Sequence, residues 1–136
     1  MTASSFQPNP DVAEVAEAYS LDALDFAANL GVTLDWSDDS VEDAELLLAT
    51  LHQEMANARP PDDAVWKMAK VLGSYVGEVL RRNHGGEWGM VHMNDDAFPG
   101  LQLDGETLCW PWGKARNRMI NGPEDNVWHY FQTLIR

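Results

Sequence analysis

Glu78 closes the most distinctive constellation in this chain. It follows Gly73-Ser74-Tyr75-Val76-Gly77 in a stretch of helical apolar spacing, so the two glycines, four residues apart, share one helix face. A glycine inside a helix costs about 1 kcal/mol relative to alanine. The pair therefore predicts a close crossing, by a small sheet or by the preceding helix. Glu78 is flanked by Val76 and Val79. If buried, it needs an Arg or a tryptophan N–H as partner. The competing chemistry is a general acid with a raised pKa, but no second carboxylate stands beside it in sequence. Tyr75, Glu78, Trp88, Trp110 and Arg116 together outline an alternative site, a groove that would hold a small molecule or substrate.

The other chemistry-bearing residues point less sharply. His52, His84, His92 and His129 lack metal-site spacing. Asp38, Asp39, Glu42 and Asp43 lack the glycine and spaced ligands of a calcium loop, which leaves a solvated or partner-facing acidic patch. Cys109 sits between Leu108 and Trp110 with no adjacent base, the setting of a small buried hydrophobe rather than of a nucleophile. Lys114, Arg116 and Arg118 lie beside Trp110 and Trp112, a mixture that would suit nucleic acid in isolation. In so acidic a chain they are expected to pair with acidic helices or to form a local anion pocket. No phosphate loop, nucleophile elbow or dinucleotide fingerprint is present. No catalytic residue, cofactor or metal is assigned.

The elements that must position these residues follow from period and punctuation. Residues 1–10, with Pro8 and Pro10, read as a loose lead-in. Val12, Val15, Ala16 and Tyr19 recur at helical spacing, with Asp11 as the available cap. Leu21–Leu30 is a second helical stretch or the continuation of the first, stopped by Gly31. Ser40 with Asp43 resembles a capping box and starts a helix that runs to about Ala58, before Pro60-Pro61. A third helix from Pro61 or Asp62 to His84 carries a broad apolar stripe and Arg81, Arg82 and His84 in its last turn. The period then switches to two. Trp88–Met93, Phe98–Leu103 and Thr107–Trp110 read as strands, with turns at Asn94-Asp95-Asp96 and Asp104-Gly105. Trp112–Ile120 and Glu124–Ile135 close the chain as helices. The class is α+β, N-terminal helices on a small antiparallel three-stranded sheet with a C-terminal helix, and residues 1–136 are expected to form one domain.

Charge is distributed unevenly. The net charge of −13 resides in residues 1–65, where fourteen Asp and Glu face one basic residue, Arg59; eight acids balance eight bases after that. Such a field repels nucleic acid and membrane surfaces and steers basic partners. Five of the six tryptophans lie from Trp66 onward. A single cysteine excludes an internal disulfide, no apolar run is long enough to span a bilayer, and the first residues lack signal-peptide features. A cytoplasmic location is the expectation.

Leu72–Arg82, then Gly85-Gly86-Glu87-Trp88 and Leu108–Pro111, resemble a pattern in bacterial α+β domains of unknown function. In that pattern a helix with a Gly-x-Tyr-x-Gly-Glu core runs into a tryptophan-bearing strand and a small sheet. The resemblance covers Val65 to about Ile120, about half the chain, and leaves out the acidic N-terminal half. It implies a fold and carries no catalytic residues. Small acidic proteins of this kind recur among bacterial toxin-immunity partners.

The leading expectation is a non-enzymatic interaction protein that binds a basic protein partner through its acidic helices, with toxin immunity or inhibition the sharpest form. Trp36 is the expected anchor, beside Asp38, Asp39, Glu42 and Asp43. The groove around Glu78 is the alternative. No nucleic-acid or membrane partner is expected, and the protein would be a monomer or a homodimer built on its aromatic terminal helix.

Overall fold

The computed structural model describes residues 4–136. Strand β1 (Ser5–Pro8) leads into helix α1 (Pro10–Asn29), followed by α2 (Ser40–Asn57) and α3 (Asp62–His84). Strands β2 (Glu87–Met93), β3 (Asp96–Leu103) and β4 (Thr107–Cys109) follow, then α4 (Pro111–Asn121). A short 3-10 turn, Pro123–Asp125, precedes α5 (Val127–Leu134). The class is α+β. The sheet has four antiparallel strands in the order β1-β2-β3-β4, one more than the sequence predicts.

The additional strand comes from the expected lead-in. Phe6 pairs with Val91 and Pro8 with Gly89 along one edge of β2. A proline ends this strand without harm because an edge strand need not donate on its outer side. Residues 1–3 of that expected lead-in lie outside the described residues. Asn9, not Asp11, caps α1: its Oδ1 accepts from the backbone N–H groups of Asp11 and Val12 at 2.9 and 3.2 Å. Pro10 takes the first helical position, where a missing N–H costs nothing. The helix then runs unbroken through Ser20, whose hydroxyl folds back onto the carbonyl of Glu17. It ends at Gly31 in the left-handed region, with Val32 N–H returning to the carbonyl of Ala27.

Helix α3 is the centre of the molecule. All residues from Val71 to Leu80 are buried, so over these turns the helix has no solvent face. The stripe predicted from sequence is thus part of a complete enclosure, with α1 on one side and α4 and the sheet on others. Leu72, Tyr75, Val76, Val79 and Leu80 join Trp88, Leu101 and Phe131 in the core.

Both hairpins use left-handed turns. Asn94 and Asp95 at φ 53° and 68° form a two-residue connection between β2 and β3. Asp104 and Gly105 at φ 54° and 69° turn β3 into β4, with Glu106 N–H on the carbonyl of Leu103. Positive φ at both central residues matches the right-handed twist of the paired strands. At the C-terminus the single predicted helix Glu124–Ile135 is divided. Asn126 ends the 3-10 turn and starts α5 afresh, its side chain accepting from His129 N–H at 2.9 Å.

Candidate functional site

The groove predicted around Glu78 is filled. A Cβ on Gly73 would lie 2.5 Å from the carbonyl oxygen of Pro111, and one on Gly77 would enter the six-membered ring of Trp88. The close crossing is therefore made by the first turn of α4 and by a sheet tryptophan, not by α2. Glu78 is buried beneath it and fully partnered. Its Oε2 accepts from Arg81 Nε at 2.7 Å and from Trp88 Nε1 at 2.9 Å, and its Oε1 accepts from Arg81 Nη2 at 3.1 Å. Arg82 Nε stands 3.5 Å from Oε1. Burial pushes the carboxyl upward, but hydrogen bonds from Arg81 and Trp88 and the two guanidinium charges outweigh it, so its pKa lies below the ordinary value. That is the opposite of a poised general acid.

Of the five residues outlined for a groove, Tyr75, Glu78 and Trp88 are brought together in the core, and Trp110 and Arg116 are placed elsewhere. The Tyr75 hydroxyl accepts from Trp36 N–H at 2.8 Å and shares a 2.6 Å hydrogen bond with Ser40 Oγ. Burial raises its pKa. Ser40 spends its hydroxyl on Tyr75 and on the carbonyl of Ser37, so the predicted capping box is not made, although α2 does start there.

Trp36 is a clamped residue. It stacks on Tyr75 with ring centroids 5.0 Å apart, and the Arg82 guanidinium lies 3.6 Å from its ring centroid. Its backbone is held at φ 69°, a costly region for a bulky side chain, by the Tyr75 bond on its N–H and the Asn83 side chain on its carbonyl. Asp38 accepts from Asn83 at 3.0 Å and meets His84 Nε2 at 2.7 Å. These two expected partner-binding residues tie the α1–α2 connection to the end of α3. Asp39 and Glu42 remain exposed, and Asp43 is half-buried.

Glu45, one of the acidic residues of α2, is buried. It receives Arg118 Nε at 2.9 and 3.0 Å on its two oxygens and Val127 N–H at 3.0 Å. One carboxylate thus joins α2, α4 and the start of α5. Nη1 of Arg118 is buried with no hydrogen-bond partner among the described residues. Arg116 reaches Asp62 at 3.0 Å and lies over the Trp66 ring. Two of the three basic residues, Arg116 and Arg118, therefore pair with acids of the N-terminal half, while Lys114 lies over the Tyr130 ring.

An aromatic cleft that sequence spacing did not reveal stays open on the surface. Trp66, Phe98, Pro99, Trp110, Trp112 and Gly113 line a space of about 360 Å³. Of these, the sequence points to Trp110 alone as a ligand residue. Its neighbours come from α3, β3 and α4, and the one local signal is the pair of tryptophans on either side of Pro111.

Burial pushes the Cys109 thiol up to about 12, and Tyr130, whose pKa burial also raises, stands against it. Such a thiol is a packed hydrophobe, not a nucleophile. Among the described residues no three His, Cys, Asp or Glu side chains gather to hold a metal ion, and no helix is long and apolar enough to cross a membrane.

The fold has a counterpart among solved structures. A protein of Bacteroides thetaiotaomicron, with a crystal structure at 1.50 Å resolution, superposes with a TM-score of 0.68 at 14% identity. The match covers 97% of this chain and 47% of the other, so the chain spans about half the length of that relative. The architecture is thus one found in a bacterial protein, and at this identity the likeness concerns the fold alone. No family model matches the chain, and no curated protein matches it.

Proposed function

We propose that this is a non-enzymatic interaction protein that binds a basic protein partner through the outer faces of α1 and α2. The observation that supports this reading is where apolar side chains meet solvent. Among the described residues, Val15, Leu21, Leu30 and Leu46 account for four of the five large exposed hydrophobics, and all four lie on or at the end of these two acidic helices. Leu21 and Leu46 are 51% and 60% exposed.

Neither helix contains a Lys or Arg. Around the apolar points stand Glu14, Glu17, Asp22, Asp25, Asp39 and Glu42, all exposed. Most cations of the chain are engaged elsewhere, on Glu45, Asp62 and Glu78 or over aromatic rings. Here exposed leucines and carboxylates stand together on the same two helices. A binding face uses both, because charge steers the encounter and desolvated apolar groups supply the affinity. The anchors in this reading are Leu21 and Leu46, since Trp36 is already sandwiched between Tyr75 and Arg82. Inhibition of a basic toxin is the sharpest form of the proposal.

The test is capture from native lysate with three baits: wild type, Leu21→Ser/Leu46→Ser, and Glu14→Lys/Asp22→Lys/Asp25→Lys. A basic protein retained by wild type at low salt, weakened at high salt and lost by both variants supports the proposal. Identification of that protein as a nuclease or other toxin supports immunity. Identical capture by all three baits rejects the face.

A further inference from the structure

A second groove adjoins the aromatic cleft and shares Trp66, Pro99 and Trp112 with it. It measures about 670 Å³, within the range of small-molecule sites. Tyr19 completes its aromatic wall, and Asp62, Asp63, Lys67 and Lys70 form its polar rim. We propose that this groove binds a neutral oligosaccharide, a chain of pyranose rings whose apolar C–H faces rest on Trp66 and Trp112 and whose hydroxyls meet the rim.

Helix α3 sets the layout. Asp62, Trp66 and Lys70 follow one another at four-residue steps and share one helix face, with Asp63 and Lys67 in the next row. At about 1.5 Å of rise per residue the first row runs about 12 Å along the axis, longer than a single sugar ring. The rings are fixed in advance. Trp112 Nε1 donates to Ser74 Oγ at 2.7 Å, and the Tyr19 ring meets Trp112 edge-on with centroids 6.3 Å apart. The Arg116 guanidinium lies 4.7 Å from the Trp66 ring centroid. A platform set before the ligand arrives spares the cost of ordering it.

The rim discriminates by charge. Its two acids and two lysines balance, so the groove offers no net attraction to an anion or to a cation. It is polar all the same. Asp62 gives one oxygen to Arg116 and Asp63 gives one to the backbone N–H of Ala64, which leaves each a second oxygen without a partner among the described residues. Neither lysine forms an ion pair among the described residues, and the Lys70 ammonium stands 5.5 Å from the Trp112 ring centroid. A purely apolar body would strip water from these groups and return no hydrogen bond. A hydroxyl is donor and acceptor at once, so it answers carboxylate and ammonium alike. A pyranose joins such hydroxyls to a flat C–H face, and the negative face of an indole complements those hydrogens.

Cellotetraose, an uncharged chain of pyranoses with equatorial hydroxyls, is the probe. The readout is the indole Nε1–H resonances of the full chain in proton–nitrogen NMR, assigned from Trp66→Phe and Trp112→Phe. Millimolar cellotetraose is expected to move the Trp66 and Trp112 signals saturably, to leave Trp36 and Trp128 in place, and to bind equally at low and high salt. Trp66→Ala and the exposed pair Asp63→Ala/Lys67→Ala should each weaken it roughly tenfold, while the dispersion of the remaining signals shows an intact fold. Trp110→Phe, which alters the adjoining cleft alone, should leave the affinity unchanged. No saturable shift, shifts confined to Trp36 or Trp128, or an affinity that survives the rim variant overturns the proposal. So does 2-naphthol moving Trp66 and Trp112 where cellotetraose does not, since that would make the groove an apolar pocket.

Discussion

Trp88 Nε1 donates a 2.9 Å hydrogen bond to Glu78 Oε2 across the junction of α3 and β2, with neither residue more than 2% exposed. Arg81 holds the same oxygen from the other side, so this carboxylate fixes the angle at which the sheet leaves the helix. The glycine at position 77 makes the contact possible by leaving room for the indole.

Glu78→Gln should destabilise the protein by about 1–2 kcal/mol at neutral pH, toward the lower end for charge-assisted bonds because Arg81 and Arg82 regain water. The folded pKa of Glu78 lies below its ordinary 4.5, so the ionised group contributes fully above about that pH. Its contribution is lost as pH falls through the lower folded value. Urea unfolding of both proteins at neutral and acid pH should therefore show a gap that narrows toward acid. A gap independent of pH would contradict the charged pairing.

Gly77→Ala should lose about 1–3 kcal/mol of stability through overpacking against Trp88, more than the ~1 kcal/mol of helix propensity it gains. Gly73→Ala should cost at least as much, because the obstacle is the Pro111 backbone and not a movable side chain. Thermal melts of the two variants provide the check. Stabilisation by either would mean that α4 can move away at no cost.

Glu45→Ala leaves Arg118 buried without its partner and Val127 N–H without its acceptor, and should cost about 3–5 kcal/mol. Adding Arg118→Met should recover part of that loss by removing the stranded charge. A double-mutant cycle by denaturant unfolding measures the coupling. Additive losses would mean that the pair is not coupled.

Cys109 should resist thiol reagents in the native protein at pH 8, because its thiol is pushed up to about 12 by burial and little thiolate forms. Labelling followed by absorbance should accelerate by orders of magnitude once denaturant unfolds the chain. Rapid native labelling would contradict the burial of Cys109 against Tyr130.

Much of the architecture was legible in local pattern. Helix boundaries near Asp62 and His84 follow from the proline pair and the glycine pair, which act within a few residues, and α2 starts at Ser40 although the cap expected there is not made. The β2–β3–β4 meander followed from alternation and turn chemistry. Strand β1 was hidden because Ser5–Pro8 has no apolar period of its own and is a strand only through pairing with β2.

The candidate sites were less legible. Composition determined the acidic half, the absence of a disulfide within this sequence and the need of Glu78 for an arginine or indole partner, since each follows from residue type and near neighbours. Only tertiary structure decided which carboxylates are free. Glu45 and Glu42 lie one helical turn apart, yet one is sealed against Arg118 and the other faces water. Trp36 and Trp110 are both candidate site residues in the sequence, yet one is clamped by Tyr75 and Arg82 and the other lines an open cleft. Exposure depends on which distant element packs against a face, and that information resides in long-range contacts rather than in local spacing.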